Sequence, residues 1–205
     1  MSAASPDPLT DPRVAALGET LGERRASEAP DSDASVALLV RPARIALELL
    51  VIQRSERVGD PWSGHMAFPG GRRDAGDADP LATAVRETRE EVGIDIAAVG
   101  RLLGPLDAVR PGGGPQLVVS PFAFAVPAGT LAQPNYEVRA ALWIPVRDLI
   151  DPEAAREYLH QVGAGTPRRF PALTWGEYTI WGLTHRILSQ FLESAAVGMQ
   201  PGERR

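Results

Sequence analysis

The sequence predicts an α/β fold in which a mixed β-sheet packs between helices. Two observations carry this. Runs of β-branched and apolar residues lie on both sides of one strongly patterned helix at 80–92, and a second amphipathic helix follows at 180–194. The 205 residues, 44% of them hydrophobic, suit one domain with an adequate core.

Residues 1–34 are rich in Ala, Ser, Pro, Asp and Glu and read as an N-terminal extension. Asp11-Pro12 opens a short helix over 12–25, and 26–34 read as a linker. The main domain is expected over 35–195, with a C-terminal tail over 196–205. Within the domain, 35–40 and 45–53 are strand-like and flank a turn near Pro42-Ala43. A loop at 59–64 leads to a short strand ending at Phe68. Asp79-Pro80 starts the next helix, since Asp79 caps free backbone N–H groups and Pro80 has the dihedral of a first turn. Gly93 ends it, because glycine takes the left-handed conformation at low cost. Strands follow over 101–109 and 116–126, joined by Pro111-Gly112-Gly113-Gly114-Pro115. That glycine run lacks a following helix and reads as a hairpin loop rather than a phosphate loop. Residues 136–144 read as a strand, 146–150 and 152–158 as helical, and 169–173 as a strand. The helix at 180–194 turns Leu183, Ile187, Leu188, Phe191 and Leu192 inward.

The helix at 80–92 carries the chemistry. Leu81, Val85, Thr88 and Val92 recur at steps of four, three and four and mark one face. At roughly 100° per residue, Glu90, Glu87 and Glu91 fall at about 180°, 240° and 280° from that face. All three are therefore expected to point away from the core. Like charges three and four residues apart weaken a helix by a few tenths of a kcal/mol per pair. A bound hard cation such as Mg²⁺, which prefers oxygen ligands, turns that repulsion into chelation. An ordinary solvated acidic face, neutralised by Arg86 and Arg89, is the competing explanation.

The run Arg86-Glu87-Thr88-Arg89-Glu90-Glu91-Val92-Gly93-Ile94 resembles the core of the Nudix box, Arg-Glu-U-x-Glu-Glu-x-Gly-U, where U is apolar and Thr88 stands at the first U. Upstream, the box glycine and acid fall at Arg72 and Ala78. Gly71 and Asp77 stand one residue away, as one extra loop residue would place them. Before the box, Arg54-Ser55, Gly64 and Phe68-Pro69-Gly70-Gly71 resemble the added signature of the coenzyme A pyrophosphatase branch, with Arg57 near the place of its second arginine. Val119-Ser120-Pro121-Phe122 and Ile180-Trp181-Gly182-Leu183-Thr184 also look like that branch.

The resemblance implies a Nudix α/β/α sandwich and a metal-dependent pyrophosphohydrolase. Glu87, Glu90 and Glu91 would bind Mg²⁺ or Mn²⁺ with the Gly71 carbonyl nearby, and one of the three would instead orient or deprotonate water. Arg86 would hold a helix carboxylate in place. Glu137 would be a further ligand or base. Arg54 and Arg57 would clamp phosphate, next to Phe68, Gly70 and Gly71 of the signature. The implied reaction is hydrolysis of coenzyme A and its derivatives to 3′,5′-ADP and 4′-phosphopantetheine species. Another nucleoside diphosphate derivative (ADP-ribose, a dinucleotide polyphosphate, a damaged nucleotide) stays open as substrate, and so does a non-catalytic nucleotide-sensing module. Trp62, Trp143, Trp175 and Trp181 could stack an adenine, although packing is the commoner role of tryptophan. His65 is conceivable as a base, with a hydrogen-bonded loop histidine as its ordinary role.

Composition narrows the classes further. There is no cysteine, which excludes disulfides, thiolate zinc sites and a cysteine nucleophile. All 21 basic residues are arginine, which excludes a Walker lysine and Schiff-base chemistry. Net charge is −5 with no long basic block, so nucleic acid is not an expected partner. No apolar run approaches the roughly 20 residues of a membrane span, and no signal-peptide pattern opens the chain. A cytoplasmic location is the expectation, and an apolar C-terminal helix would permit a homodimer.

Overall fold

The computed structural model describes residues 7–23, 32–60, 62–110, 117–161 and 166–198. Five helices and ten strands are defined among them: α1 (Pro12–Glu23), β1 (Ala34–Pro42), β2 (Leu47–Arg54), β3 (Met66–Ala67), β4 (Gly70–Arg72), α2 (Pro80–Val92), α3 (Ile96–Val99), β5 (Arg101–Pro105), β6 (Val119–Ala125), β7 (Val138–Pro145), α4 (Val146–Ile150), β8 (Ala155–His160), β9 (Arg168–Trp175), β10 (Tyr178–Trp181) and α5 (Gly182–Gly198). The main sheet is mixed and seven-stranded. Its path is β3-β2-β1-β6-β5, with β4 also on β1 and β7 also on β2, and β1 runs parallel to β6.

One irregularity of this sheet creates the site. β1 and β2 pair only over Val40↔Leu49, Arg41↔Glu48 and Pro42↔Leu47 and then diverge. The wedge between them is filled by the segment joining β3 to β4. Ala67 pairs with Ile52 of β2, and Gly70–Arg72 pair with Val36–Ala34 of β1. Only glycine fits at 70, because a Cβ there would overlap the Ser35 carbonyl and Val36. The Pro69 carbonyl accepts from the Ala37 N–H at 2.8 Å, which ties the turn to the sheet centre.

The two faces of the sheet bury separate clusters. Ala37, Leu39, Leu50, Ile52 and Phe124 lie under α2 with Ala84 and Val92. Leu38, Val40, Leu49 and Val51 lie on the other face with α1 and α5. This is the expected α/β/α arrangement. The segment read as an extension supplies part of it, since Val14, Leu17 and Leu21 of α1 are fully buried in that second cluster. Along the central strands successive buried side chains alternate between the two clusters, the period-two geometry that places neighbours on opposite faces.

Two local expectations are corrected. Residues 152–158 are not a helix: Pro152–Ala154 form a 3₁₀ turn capped by Asp151, and the chain then enters β8. Tyr158 and His160 alternate on one side of that strand, a spacing of two that a helical reading misses. The C-terminal helix starts at Gly182 rather than 180, because Ile180 and Trp181 pair with Leu173 and Ala172 of β9. β8, β9 and β10 form a separate three-stranded antiparallel sheet. Ile187, Leu188, Phe191 and Leu192 of α5 are buried in the core, the inward face read from its sequence. The glycine run 111–115, most of the expected linker and the tail beyond Gly198 lie outside the described residues. No helix among the described residues is long and apolar enough to cross a membrane.

Because α1 belongs to the core, truncating one of its buried side chains acts on global stability. Leu21→Ala is expected to lower unfolding free energy by about 2–5 kcal/mol, read from urea denaturation.

Candidate active site

The helix α2 is built as its sequence requires. The Asp79 side chain accepts from the Ala82 N–H at 2.7 Å, Pro80 occupies the first turn, and Gly93 closes the helix in the left-handed conformation at φ 68°. The loop after it covers its exposed carbonyls. Gln133 N–H donates to Val92 O at 2.7 Å and Asn135 N–H to Glu91 O at 2.9 Å. Helix ends leave such carbonyls unpartnered, so this loop satisfies them and places Glu137 beside the helix.

The glutamates do not all face solvent. Glu91 is 3% exposed, and its Oε2 accepts from the Gly70 N–H at 2.9 Å. Leu81 and Val85 are only partly buried, whereas Ala84 and Thr88 are fully buried. The helix is therefore rolled so that its inward face is centred closer to Glu91 than the apolar pattern alone indicated. Small side chains permit this: Ala84 on the helix and glycine at 70 and 71 on the strand. The side-chain exposures of Glu87 and Glu90 are 15% and 55%, so the three carboxylates are graded from buried to open.

Arg86 organises this group. Its guanidinium reaches Asp77 twice (Nε to Oδ1 3.0 Å, Nη2 to Oδ2 2.9 Å), Glu87 at 2.9 Å, Glu90 at 3.1 Å and the Arg72 carbonyl at 3.1 Å. Asp77 also accepts from the Thr83 hydroxyl and the Asp74 N–H, both at 2.9 Å. The acid displaced by one residue thus still meets the helix arginine. The Arg86 hydrogen bond is the main reason that the Asp77 carboxyl lies well below the usual carboxylate range. Burial acts the other way on Glu91 and pushes it up to about 7; the Gly70 N–H opposes the rise, while Glu87 and Glu137 add to it. Burial also raises Glu87, partly offset by Arg86.

The arginines and Glu137 complete the site. Arg57 Nη2 donates to Glu137 Oε1 at 2.8 Å and stacks over the Tyr136 ring at 5.3 Å. Arg54 Nη2 pairs with Asp60 at 2.9 Å, and its buried Nε has no protein partner. Its positive charge acts on Glu91. Glu87, Glu91, Glu137, Arg54, Arg57, Gly70 and Gly71 are thus gathered at one place, and Glu90 is held at its margin by Arg86. Phe68 is the exception. It is 3% exposed in the core, so it anchors the turn and presents no surface to a substrate. Sequence reasoning missed Tyr136 and Asp60, whose roles come from contacts with loop arginines that no spacing encodes.

The donor set fits a hard divalent cation in chemistry: carboxylates and a backbone carbonyl, all oxygen. The contact at Gly71 fits too, because a Cβ there would occupy the space of the Glu87 carboxylate, leaving that carboxylate directly on the glycine backbone. Among the described residues no three such groups already converge on one point. Glu87 and Glu90 are instead turned to Arg86, and a cation would compete with that arginine for them.

Asp77 gives a test with a definite sign. Its folded pKa is depressed, so its contribution is complete above the ordinary aspartate value of about 3.9 and is lost as pH falls below that value. Asp77→Asn is expected to cost on the order of 2–3 kcal/mol at neutral pH, and the deficit relative to wild type should shrink on acidification below about pH 4. Chemical denaturation at pH 7 and pH 3 reads both.

A NUDIX domain model matches residues 31–162, well over half of the chain. The chain is 32% identical over 181 residues to the mitochondrial coenzyme A diphosphatase NUDT8 of Homo sapiens, across 80% of this chain and 75% of that protein. It is 29% identical over 201 residues to the Nudix hydrolase NudL of Yersinia enterocolitica, across 92% and 100%. An uncharacterised protein of Schizosaccharomyces pombe is 44% identical over 111 residues, but that match spans 51% of this chain and only 34% of the yeast protein. A crystal structure of a MutT/nudix family protein from Enterococcus faecalis superposes with a TM-score of 0.50 at 17% identity, over 85% of this chain and 66% of that one, and shows the common fold. The graded glutamates on α2, the glycine backbone against them and the match over 31–162 make this chain a member of the Nudix hydrolase family, a pyrophosphohydrolase.

Proposed function

We propose that the chain hydrolyses the diphosphate bond of coenzyme A and of its acyl or oxidised forms, with Mg²⁺ or Mn²⁺ as cofactor. The products are 3′,5′-ADP and the matching 4′-phosphopantetheine. The observation that carries the reading is the placement of Arg54 and Arg57, from the segment that precedes Phe68-Pro69-Gly70-Gly71, beside the α2 carboxylates. Similarity to a protein named as a coenzyme A diphosphatase over most of both chains supports the same substrate.

The side chains divide the work. Glu87, Glu90 and Glu91 with the Gly71 carbonyl would hold the cation. When bound, it supplies positive charge to the phosphoryl oxygens and lowers the pKa of water. Arg54 and Arg57 bind the diphosphate oxygens through charge-assisted hydrogen bonds. Arg57 is engaged with Glu137 at 2.8 Å, so a phosphate that recruits Arg57 frees Glu137 Oε1. That carboxylate then accepts the proton of the attacking water. The water oxygen forms the new P–O bond, and the bridging oxygen leaves on the departing phosphate. Arg86 acts behind the site by fixing Glu87 and Glu90.

Glu90→Gln and Glu91→Gln are each expected to cut turnover by orders of magnitude with circular dichroism unchanged; wild-type turnover in both would remove the assignment of these carboxylates. A panel of coenzyme A, ADP-ribose and diadenosine polyphosphates with Mg²⁺ or Mn²⁺, resolved by chromatography, tests the substrate. Preferred release of 3′,5′-ADP from coenzyme A is the expected result. Preference for ADP-ribose or a dinucleotide would discard coenzyme A and leave the carboxylate roles intact.

A further inference from the structure

The three-stranded sheet carries a cluster of rings that neither core absorbs. Trp181 of β10 lies 4.5 Å from His160, 4.6 Å from Tyr158, 5.5 Å from Phe170 and 5.0 Å from His65, centroid to centroid. Tyr158 and His160 are two apart on β8, and Phe170 is the cross-strand partner of Tyr158. They therefore share one face of the sheet. All five rings are half-buried, and none belongs to either hydrophobic cluster. Rings at these distances and tilts attract one another, and their half-burial leaves part of each ring open to a ligand. Burial and the neighbouring His160 lower the pKa of His65, so its ring is neutral at pH 7.

The cluster adjoins the diphosphate site through the backbone. The His65 carbonyl accepts from the Arg54 N–H at 3.0 Å, and His65 lies just ahead of β3 and the glycine turn. The Thr184 hydroxyl at the start of α5 donates to Met66 O at 2.9 Å and fixes β3 against the segment that carries Trp181. On the ring-bearing face, Arg168 is the cross-strand partner of His160. Arg169, on the opposite face, is paired with Glu157 at 2.6 Å.

We propose that this face, centred on Trp181 with Tyr158, His160 and His65, is the subsite for the purine base of the substrate. It rests on the reading of the substrate as a nucleotide diphosphate derivative and does not require that it be coenzyme A. Flat π-faces stack a base of any sequence, and the His65 imidazole supplies an in-plane donor and acceptor for its edge. A flexible pantetheine arm has no aromatic face to stack on these rings.

The test is equilibrium binding by calorimetry to the full chain, with 3′,5′-ADP as probe and inorganic pyrophosphate and 4′-phosphopantetheine as base-free controls. Trp181→Leu and the less central Tyr158→Leu are each compared with wild type, with thermal unfolding to show that at least Tyr158→Leu remains folded. Weakening of 3′,5′-ADP by about tenfold in a folded variant, as loss of one stacking partner predicts, with both controls unchanged, is the expected result. Unchanged 3′,5′-ADP affinity in folded variants, equal weakening of all three ligands, weakening of 4′-phosphopantetheine alone, or no wild-type affinity for 3′,5′-ADP would each overturn it. Failure of coenzyme A as a substrate leaves this binding readout intact, so the two proposals fall separately.

Discussion

The structure depends on a close approach between helix α2 and the backbone at Gly70 and Gly71. A carboxylate buried among apolar side chains is costly unless hydrogen bonds and counter-charges offset the loss of water. Glu91 is held there by the Gly70 N–H, and Glu87 lies on the Gly71 backbone where any Cβ would overlap it. Glycine at 70 is thus a steric condition for this approach, because a Cβ there would meet backbone, while glycine at 71 leaves the Glu87 carboxylate room in its present position. The splayed pairing of β1 and β2 makes room for that glycine turn, so a sheet irregularity and a helix orientation serve one end.

Arg86 supplies the second constraint. Taken alone, Glu87 and Glu90 beside a buried Glu91 form a repelling group one turn of helix long. The guanidinium bridges two of them to Asp77 and to the Arg72 carbonyl, tying the loop before α2 to the helix itself. An extra residue in that loop shifts Gly71 and Asp77 from the spacing of the family box, yet both reach the positions that matter. Hydrogen-bond geometry tolerates a loop insertion provided that the contacting atoms still converge.

The second sheet adds a different environment at the edge of this charged centre. Its rings are half-exposed and partly imidazole, against a site made of carboxylates and arginines. The juxtaposition suits a ligand with a charged diphosphate at one end and a flat base at the other. It also gives Trp181 a role distinct from that of Trp175, whose indole N–H donates to Asp148 at 3.2 Å, and of Trp143, which lies under Arg41 at 4.2 Å.

Local chemistry alone determined α2, from the Asp79 cap and Pro80 to the Gly93 stop, together with the clustering of its glutamates and the order of strands and helices that predicts an α/β fold. These follow from periodicity, capping and spacing, which act within a few residues and are written in the chain, whereas the α/β/α sandwich and the arginines upstream are implied by the resemblance to the Nudix box and the signature before it. Tertiary structure alone decided that Glu91 is buried rather than solvated, because the roll of α2 is set by the small residues of the strand beneath it. It also decided that Phe68 belongs to the core, that α1 is part of the domain, and that 155–160 form a strand. A short segment has no strong local preference, and its state is settled by the partner it finds, here Arg168–Leu173 across β9. The joining of Arg57 to Glu137 and of the five rings around Trp181 spans long stretches of sequence, and only the fold brings such residues within contact distance.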